Sequence, residues 1–197
     1  MSISWLLRFG AVCGVLTGLS LGIPGAIETF TGETAATSFI AGVGATFAAP
    51  AVTAFHLRQS AAAGRFGAIA YAVNVLGLGL FAGVAFSLNL VVFFLDETVA
   101  AELLRGPTRL ALLGSVAVFV PGVLLFGLAM LRARVLPWPA AVGYGVFLPL
   151  LALLAPLPDT PLISGIHLMA CVSLIWLSLS TWSRAGEARV AVPAVQV

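Results

Sequence analysis

Residues 66–95 run for 30 positions without one charged side chain. An α-helix rises 1.5 Å per residue, so this stretch reaches roughly 45 Å, more than the ~30 Å hydrocarbon core of a bilayer. As a membrane span it must tilt or project beyond the core. The rest of the chain has the same character. Of its residues 61% are hydrophobic and 8% charged, whereas a soluble domain carries about a quarter charged residues. So few charges do not cover a water-facing surface, and a bilayer is the solvent that tolerates such a composition. At roughly 30 residues per span plus loop, 197 residues give about six helices and no separate soluble domain.

Apolar runs between short charged loops predict spans over about 5–26, 37–55, 66–95, 110–131, 139–157 and 162–182. The predicted fold class is therefore an all-α integral membrane bundle of about six helices over 1–183, with a short tail over 184–197. Alternating the spans puts Arg8, Arg58, Arg65, Arg132, Arg134, Arg184 and Arg189 on one side. Glu28, Glu33, Asp96, Glu97, Glu102 and Asp159 fall on the other; Arg105, Arg109 and Glu187 depart from the split. The positive-inside rule then predicts a multi-pass protein of the plasma (inner) membrane with both termini cytoplasmic. The first run is expected to stay as a span, because its apolar stretch is too long for a signal peptide and no A-x-A site precedes Glu28.

All nine basic residues are arginine. The absence of lysine excludes a retinal-type Schiff base, a phosphate-loop lysine and a lysine general base, and with the Ala, Gly, Val and Leu content it suggests a GC-rich bacterial genome. The arginines are dispersed and form no basic stripe interleaved with aromatics, so nucleic acid is not an expected partner; the lipid bilayer is. Cys13 and Cys171 stand far apart within apolar runs, in no CxxC pattern, and read as small buried apolar residues.

An internal repeat adds parentage. Arg8-Phe9-Gly10-Ala11 opens the first span and Arg65-Phe66-Gly67-Ala68 the third; Arg134, before Pro137-Trp138-Pro139, stands at the matching place before the fifth. The chain reads as three in-out-in hairpins related by parallel duplication, which argues against an inverted-repeat transporter.

Gly10, Gly14, Gly18 and Gly22 recur every four residues and line one face of the first span. Such a face lets a neighbouring backbone approach closely, either within the bundle or across a homo-oligomer or partner-subunit interface. Gly79 and Gly83 offer a shorter version in the third span. Pro50, Pro121 with Gly122, and Pro149 lie inside spans two, four and five and are expected to free carbonyls and kink those helices. Residues 96–107 read as an interfacial helix capped by Asp96, with Glu102 pairing Arg105, ended by Gly106-Pro107.

No Asp, Glu or Arg falls at the centre of a span, which disfavours a proton- or sodium-coupled pump. The polar side chains expected at depth are Tyr71, Asn74, Asn89, Ser115, Tyr144 and His167, of which Asn74, Tyr144 and His167 are the candidate ligand-binding residues. His167 is expected to bond a neighbouring helix. His56 and His167 fall at opposite ends of their spans and do not ligate one haem iron; no cofactor and no metal site are expected.

Ser115 and His167, on spans four and six at similar depth, are the candidate catalytic pair. They resemble the dyad of rhomboid intramembrane proteases, which also have six spans and cytoplasmic termini; the resemblance implies a serine activated by histidine. Rhomboids carry GxSG, where this chain reads Leu113-Gly114-Ser115-Val116-Ala117, and their first-loop Trp-Arg pair and second-span oxyanion residues are missing. The run Leu124-Leu125-Phe126-Gly127 through Arg132-Ala133-Arg134-Val135-Leu136-Pro137-Trp138 resembles a pattern of uncharacterised small multi-pass bacterial membrane proteins. That resemblance covers spans four and five and implies no activity.

The expected function is non-catalytic, an accessory subunit or a binder of an apolar ligand. A small channel or uncoupled transporter is the alternative, and a rhomboid-like hydrolase a second one.

Overall fold

A computed structural model describes residues 2–155, 157 and 160–185, and among these the chain is helical, with no strand. The helices are α1 (Ile3–Thr31), α2 (Ala35–Gly44), α3 (Ala48–Leu90), α4 (Glu97–Leu103), α5 (Pro107–Ala133), α6 (Trp138–Leu154) and α7 (Pro161–Ala185). Four described stretches are long and apolar enough to cross a membrane: Ile3–Thr31, Ala35–Phe94, Pro107–Ala133 and Pro161–Ser183. Trp138–Leu154 is a shorter apolar helix.

The Ala35–Phe94 stretch is not one rod. Gly64 sits at φ 56° and ψ −151°, a conformation open to almost nothing but glycine. On either side of it, the Thr53 and Tyr71 hydroxyls lie 3.0 Å apart, and the His56 ring stacks on Tyr71 with centroids 4.2 Å apart. In a straight helix, residues 53 and 71 would be separated by about 27 Å of rise. The chain therefore folds back at Gly64, and limbs 48–63 and 65–90 of α3 lie antiparallel. The same pairing continues to the far end, where a Cβ on Gly42 of α2 would meet Leu90 Cγ at 2.8 Å.

Local chemistry sets the element ends. Thr34 caps α2, accepting from the Thr37 N–H while Thr37 Oγ1 accepts from the Thr34 N–H. A 3₁₀ turn over Ala45–Phe47 joins α2 to α3. Pro50 thus occupies the first turn of α3 instead of the middle of a helix. Its missing N–H leaves the residue-46 carbonyl without an intrahelical donor, where the chain already tightens. Pro107 opens α5 directly after Gly106, and Arg134 closes it in the left-handed region.

Neighbours in space follow chain order and close into a ring. α1 packs on the 48–63 limb, the 65–90 limb on α5, α5 on α6, α6 on α7, and α7 returns to α1. Small residues set the close approaches. Gly10 meets Pro50 and Ala54, Gly14 meets Ala51 and Ser178, and Gly18 and Gly22 meet Cys171 and its neighbours on α7. Across the ring, Gly77 lies on the Phe119 backbone and Gly122 on the Asn74 backbone.

Several expectations need correction. Gly79 and Gly83 are exposed with nothing within 4 Å of a Cβ; Gly77, on the opposite face, is the packing glycine of its limb. The predicted loop after residue 55 is helical to 63, because Phe55 and Gln59 continue the inward stripe past the first charges. The long third span ends at Leu90, where a 3₁₀ turn, Val92–Phe94, takes over. Asp96 makes no side-chain cap on α4. Pro156, Pro158 and Asp159, at and just after the end of the fifth predicted span, Arg184's side chain, and Glu187 and Arg189 of the tail lie outside the described residues.

The fold-backs gather Arg8, Arg58, Arg65, Arg132 and Arg134 at one end of the ring. Arg8 lies over the Trp182 ring at 5.5 Å, and Arg132 over Phe66 at 4.9 Å. Glu28, Glu33, Asp96, Glu97 and Glu102 stand at the other end, with Arg105 and Arg109.

Candidate functional site

A ring of helices closes tightly only where its inward side chains fill the axis. At the arginine end they do. Phe55, Phe126, Met130 and Leu177, each 0% exposed, form a plug, and Phe126 meets Tyr144 edge-on at 5.9 Å. Toward the acidic end the inward positions of α2, α3 and the 3₁₀ turn between them are small, among them Ala41, Ala45, Ala48, Ala82 and Ala85, and the axis is left open. The result is a cavity of about 760 Å³ lined by residues from every helix of the ring.

Its mouth carries Glu28 from α1, Glu33 from the α1–α2 turn, Asn89 from the 65–90 limb and Arg109 from α5. Glu33 and Arg109 are exposed, so the cavity reaches the surface at this end. Below the mouth the walls are apolar, with Leu78, Phe81, Phe119, Leu148 and Leu174 prominent. Tyr144 stands deepest on α6, with Leu148, Leu151 and Ala152 following it toward the mouth.

The candidate ligand residues fall in two places. Asn74 and Tyr144, 70 positions apart, are brought together by the packing of the 65–90 limb and α6 on either side of α5: Asn74 Nδ2 donates to the Tyr144 oxygen at 2.7 Å. Both are essentially inaccessible, at 0% and 1% exposed. Asn74 approaches closely because Gly122 faces it, where a Cβ would come within 2.8 Å of Asn74 Cα. Asn74 Oδ1 has no partner.

His167 lies higher on the wall, half-buried, its ring against Gly25 of α1. It does not bond a neighbouring helix as expected. Its Nδ1 lies 3.0 Å from the Ile163 carbonyl of its own helix. A carbonyl only accepts, so Nδ1 is the donor of this contact. Ser164, one turn nearer the mouth, ties the same helices: its Oγ donates to the Gly25 carbonyl at 2.5 Å and contacts Thr29 Oγ1.

The structure does not unite Ser115 with His167. Ser115 Oγ donates to the Ala111 carbonyl of its own helix at 2.8 Å, and α6 stands between α5 and α7 in the ring. Neither side chain serves the other as a proton partner, as a serine–histidine dyad requires. Asn89, expected at depth, sits at the mouth and donates to Ala85 O. Tyr71 joins His56 and Thr53 near the arginine end. Among the described residues no three His, Cys, Asp or Glu side chains converge.

Sequence reasoning did not single out Thr17 and Ser20, which line the cavity and return their hydroxyl protons to carbonyls of α1. It also passed over Gln59, 1% exposed, with neither amide atom partnered. The signal for Gln59 lies in Val52, Phe55 and Gln59, whose i, i+3, i+7 spacing continues one inward face. Compared with protein families, curated proteins and solved structures, the chain matches none.

Proposed function

We propose that this chain is a six-crossing bacterial inner-membrane protein that binds an apolar small molecule in the centre of its helix ring. The six crossings are α1, α2 with limb 48–63, limb 65–90, α5, α6 and α7; the fold-back at Gly64 supports counting the two limbs separately. The α6 helix, at 17 residues, rises about 25 Å and crosses where the bilayer thins slightly. The positive-inside rule places the arginine end in the cytoplasm, and the cavity mouth then faces the opposite side. The Arg-Phe-Gly-Ala repeat at Arg8 and Arg65 and the chain-ordered ring fit descent from a tripled hairpin.

The observation that carries the reading is the cavity itself. It is concave, apolar below a charged mouth, and holds a few convergent polar groups, the usual make-up of a small-molecule site. The four-residue glycine face favours a binder over an accessory subunit, since Gly10, Gly14, Gly18 and Gly22 are spent on contacts within the bundle.

Native mass spectrometry of the protein released from lipid nanodiscs tests this. A bound hydrophobic molecule is expected with wild-type protein and is expected to be lost from Ala85→Trp, which fills the cavity. Ligand-free wild-type protein, even after incubation with lipid extract, would contradict it.

A second reading, uncoupled passage of the same ligand to the cytoplasmic side, draws on Gln59. Its unpartnered amide is buried on the inward face one turn beyond Phe55 of the plug. Flux of ligand across proteoliposomes separates passage from binding alone.

A further inference from the structure

We infer that the cavity receives its ligand tip first, and that the tip is an uncharged acceptor oxygen, such as a ketone carbonyl, hydrogen-bonded at the Asn74–Tyr144 pair. The inference rests on the cavity being a ligand site and adds the chemistry of that ligand.

It follows from counting donors. When Asn74 Nδ2 donates to the Tyr144 oxygen, the tyrosine's own O–H and the second Nδ2 hydrogen have no acceptor among the described residues, and Asn74 Oδ1 has no donor. Oxygen and nitrogen of an amide exchange places when it turns over. Tyr144 then donates to Asn74 Oδ1, and Nδ2 keeps both hydrogens unshared. In either arrangement two hydrogens of the pair stay unshared, on residues 0% and 1% exposed. A buried donor without a partner is costly, and proteins leave such groups where a ligand completes them. Tyr144, unlike Asn74, lines the deep end of the cavity, so the completing atom arrives through the cavity and meets the pair at Tyr144.

The tip is uncharged because no ionised group lies beside it. Glu28, Glu33 and Arg109 are all at the mouth, and His167 stands on the wall between. An anion or cation at Tyr144 would face Phe126 and Phe119 without a counter-charge. The body of the ligand is hydrocarbon, matching Leu78, Phe81, Leu148 and Leu174.

The test uses two probes that differ only at the tip, tritiated 2-tetradecanone and tetradecane, equilibrated with the full chain in nanodiscs, with empty nanodiscs as blank. The ketone is expected to bind wild type about fivefold more tightly, the scale of one net hydrogen bond. In the double variant Asn74→Leu/Tyr144→Phe both partners become apolar and similar in size, so the fold is kept. There the preference is expected to vanish while alkane affinity stays. Equal binding of both probes to wild type, or a ketone preference that survives in the double variant, overturns the inference and leaves the ligand-site reading standing. If neither probe binds wild type above the blank, the ligand-site reading itself falls, and this inference falls with it.

Discussion

Adding one methyl group at Gly77 measures how tightly the ring is closed on its α5 side. A Cβ there would lie 2.6 Å from Phe119 Cα, 2.8 Å from Phe119 N and 2.8 Å from the Val118 carbonyl oxygen. Ordinary contact between such atoms is about 3.5–4.0 Å, so α5 must retreat by about 1 Å. All three obstacles are backbone, and no rotamer change relieves them. One turn away, Gly122 holds the same two helices equally close through Asn74, so the retreat also loosens that contact. Overpacking of this kind costs about 1–3 kcal/mol, against a gain of up to about 1 kcal/mol from replacing glycine by alanine in a helix. The net expectation for Gly77→Ala is a loss of about 1–2 kcal/mol. Gly79, two residues on, is the internal control: it is exposed, and nothing lies within 4 Å of its Cβ position. Gly79→Ala should therefore be neutral or slightly stabilising. Thermal unfolding of both variants in the same detergent reads the difference. Because Phe119 lines the cavity, Gly77→Ala should also weaken ligand binding and Gly79→Ala should not. A Gly77→Ala protein as stable as Gly79→Ala would refute the close packing of these helices.

At Gly64 the test is of backbone alone, since no atom lies within 4 Å of a Cβ there and φ is +56°. Gly64→Ala should destabilise by about 1–3 kcal/mol in thermal unfolding, and an unchanged midpoint would mean the fold-back is not made there. Gln59 is 1% exposed with both amide atoms unpartnered, so Gln59→Met should raise stability by about 1–3 kcal/mol. A lowered midpoint would show that the amide has a partner. Shrinking the plug with Phe55→Ala and Phe126→Ala should cost about 3–5 kcal/mol each and, in proteoliposomes, let ligand leak through the arginine end. Unchanged flux would place the barrier elsewhere.

The helices were legible in the sequence because apolar runs and sorted charges depend on local composition alone. Their ends were less so. The first charges after residue 55 suggested a loop, yet Gln59 points inward and the helix continues to Gly64. A glycine's role depends on which face meets a neighbour, and spacing reveals that only when a face repeats. Gly10 to Gly22 repeat; Gly77 stands beside Gly79 and Gly83 in a run whose orientation only the partner helix decides. Asn74 and Tyr144 were identifiable as polar groups at depth, whereas their pairing depends on the approach of Gly122 to Asn74. The cavity was not legible at all, since empty space is a property of the assembled ring and of no single segment. Its small residues, Ala41, Ala45, Ala82 and Ala85, look in sequence like any other membrane alanines.

The central claim is a cavity that opens on the non-cytoplasmic side and ends blindly at Tyr144. Cysteine accessibility tests it most directly, because the two native cysteines are both buried and are replaced by alanine as background. Leu148→Cys and Leu151→Cys then report on the cavity and Met130→Cys on the plug. With a membrane-impermeant methanethiosulfonate, the first two should be labelled in right-side-out vesicles and protected in inverted ones, and Met130→Cys should be unreactive in both. Labelling of Leu148→Cys and Leu151→Cys from the cytoplasmic face, or of Met130→Cys from either, would contradict it.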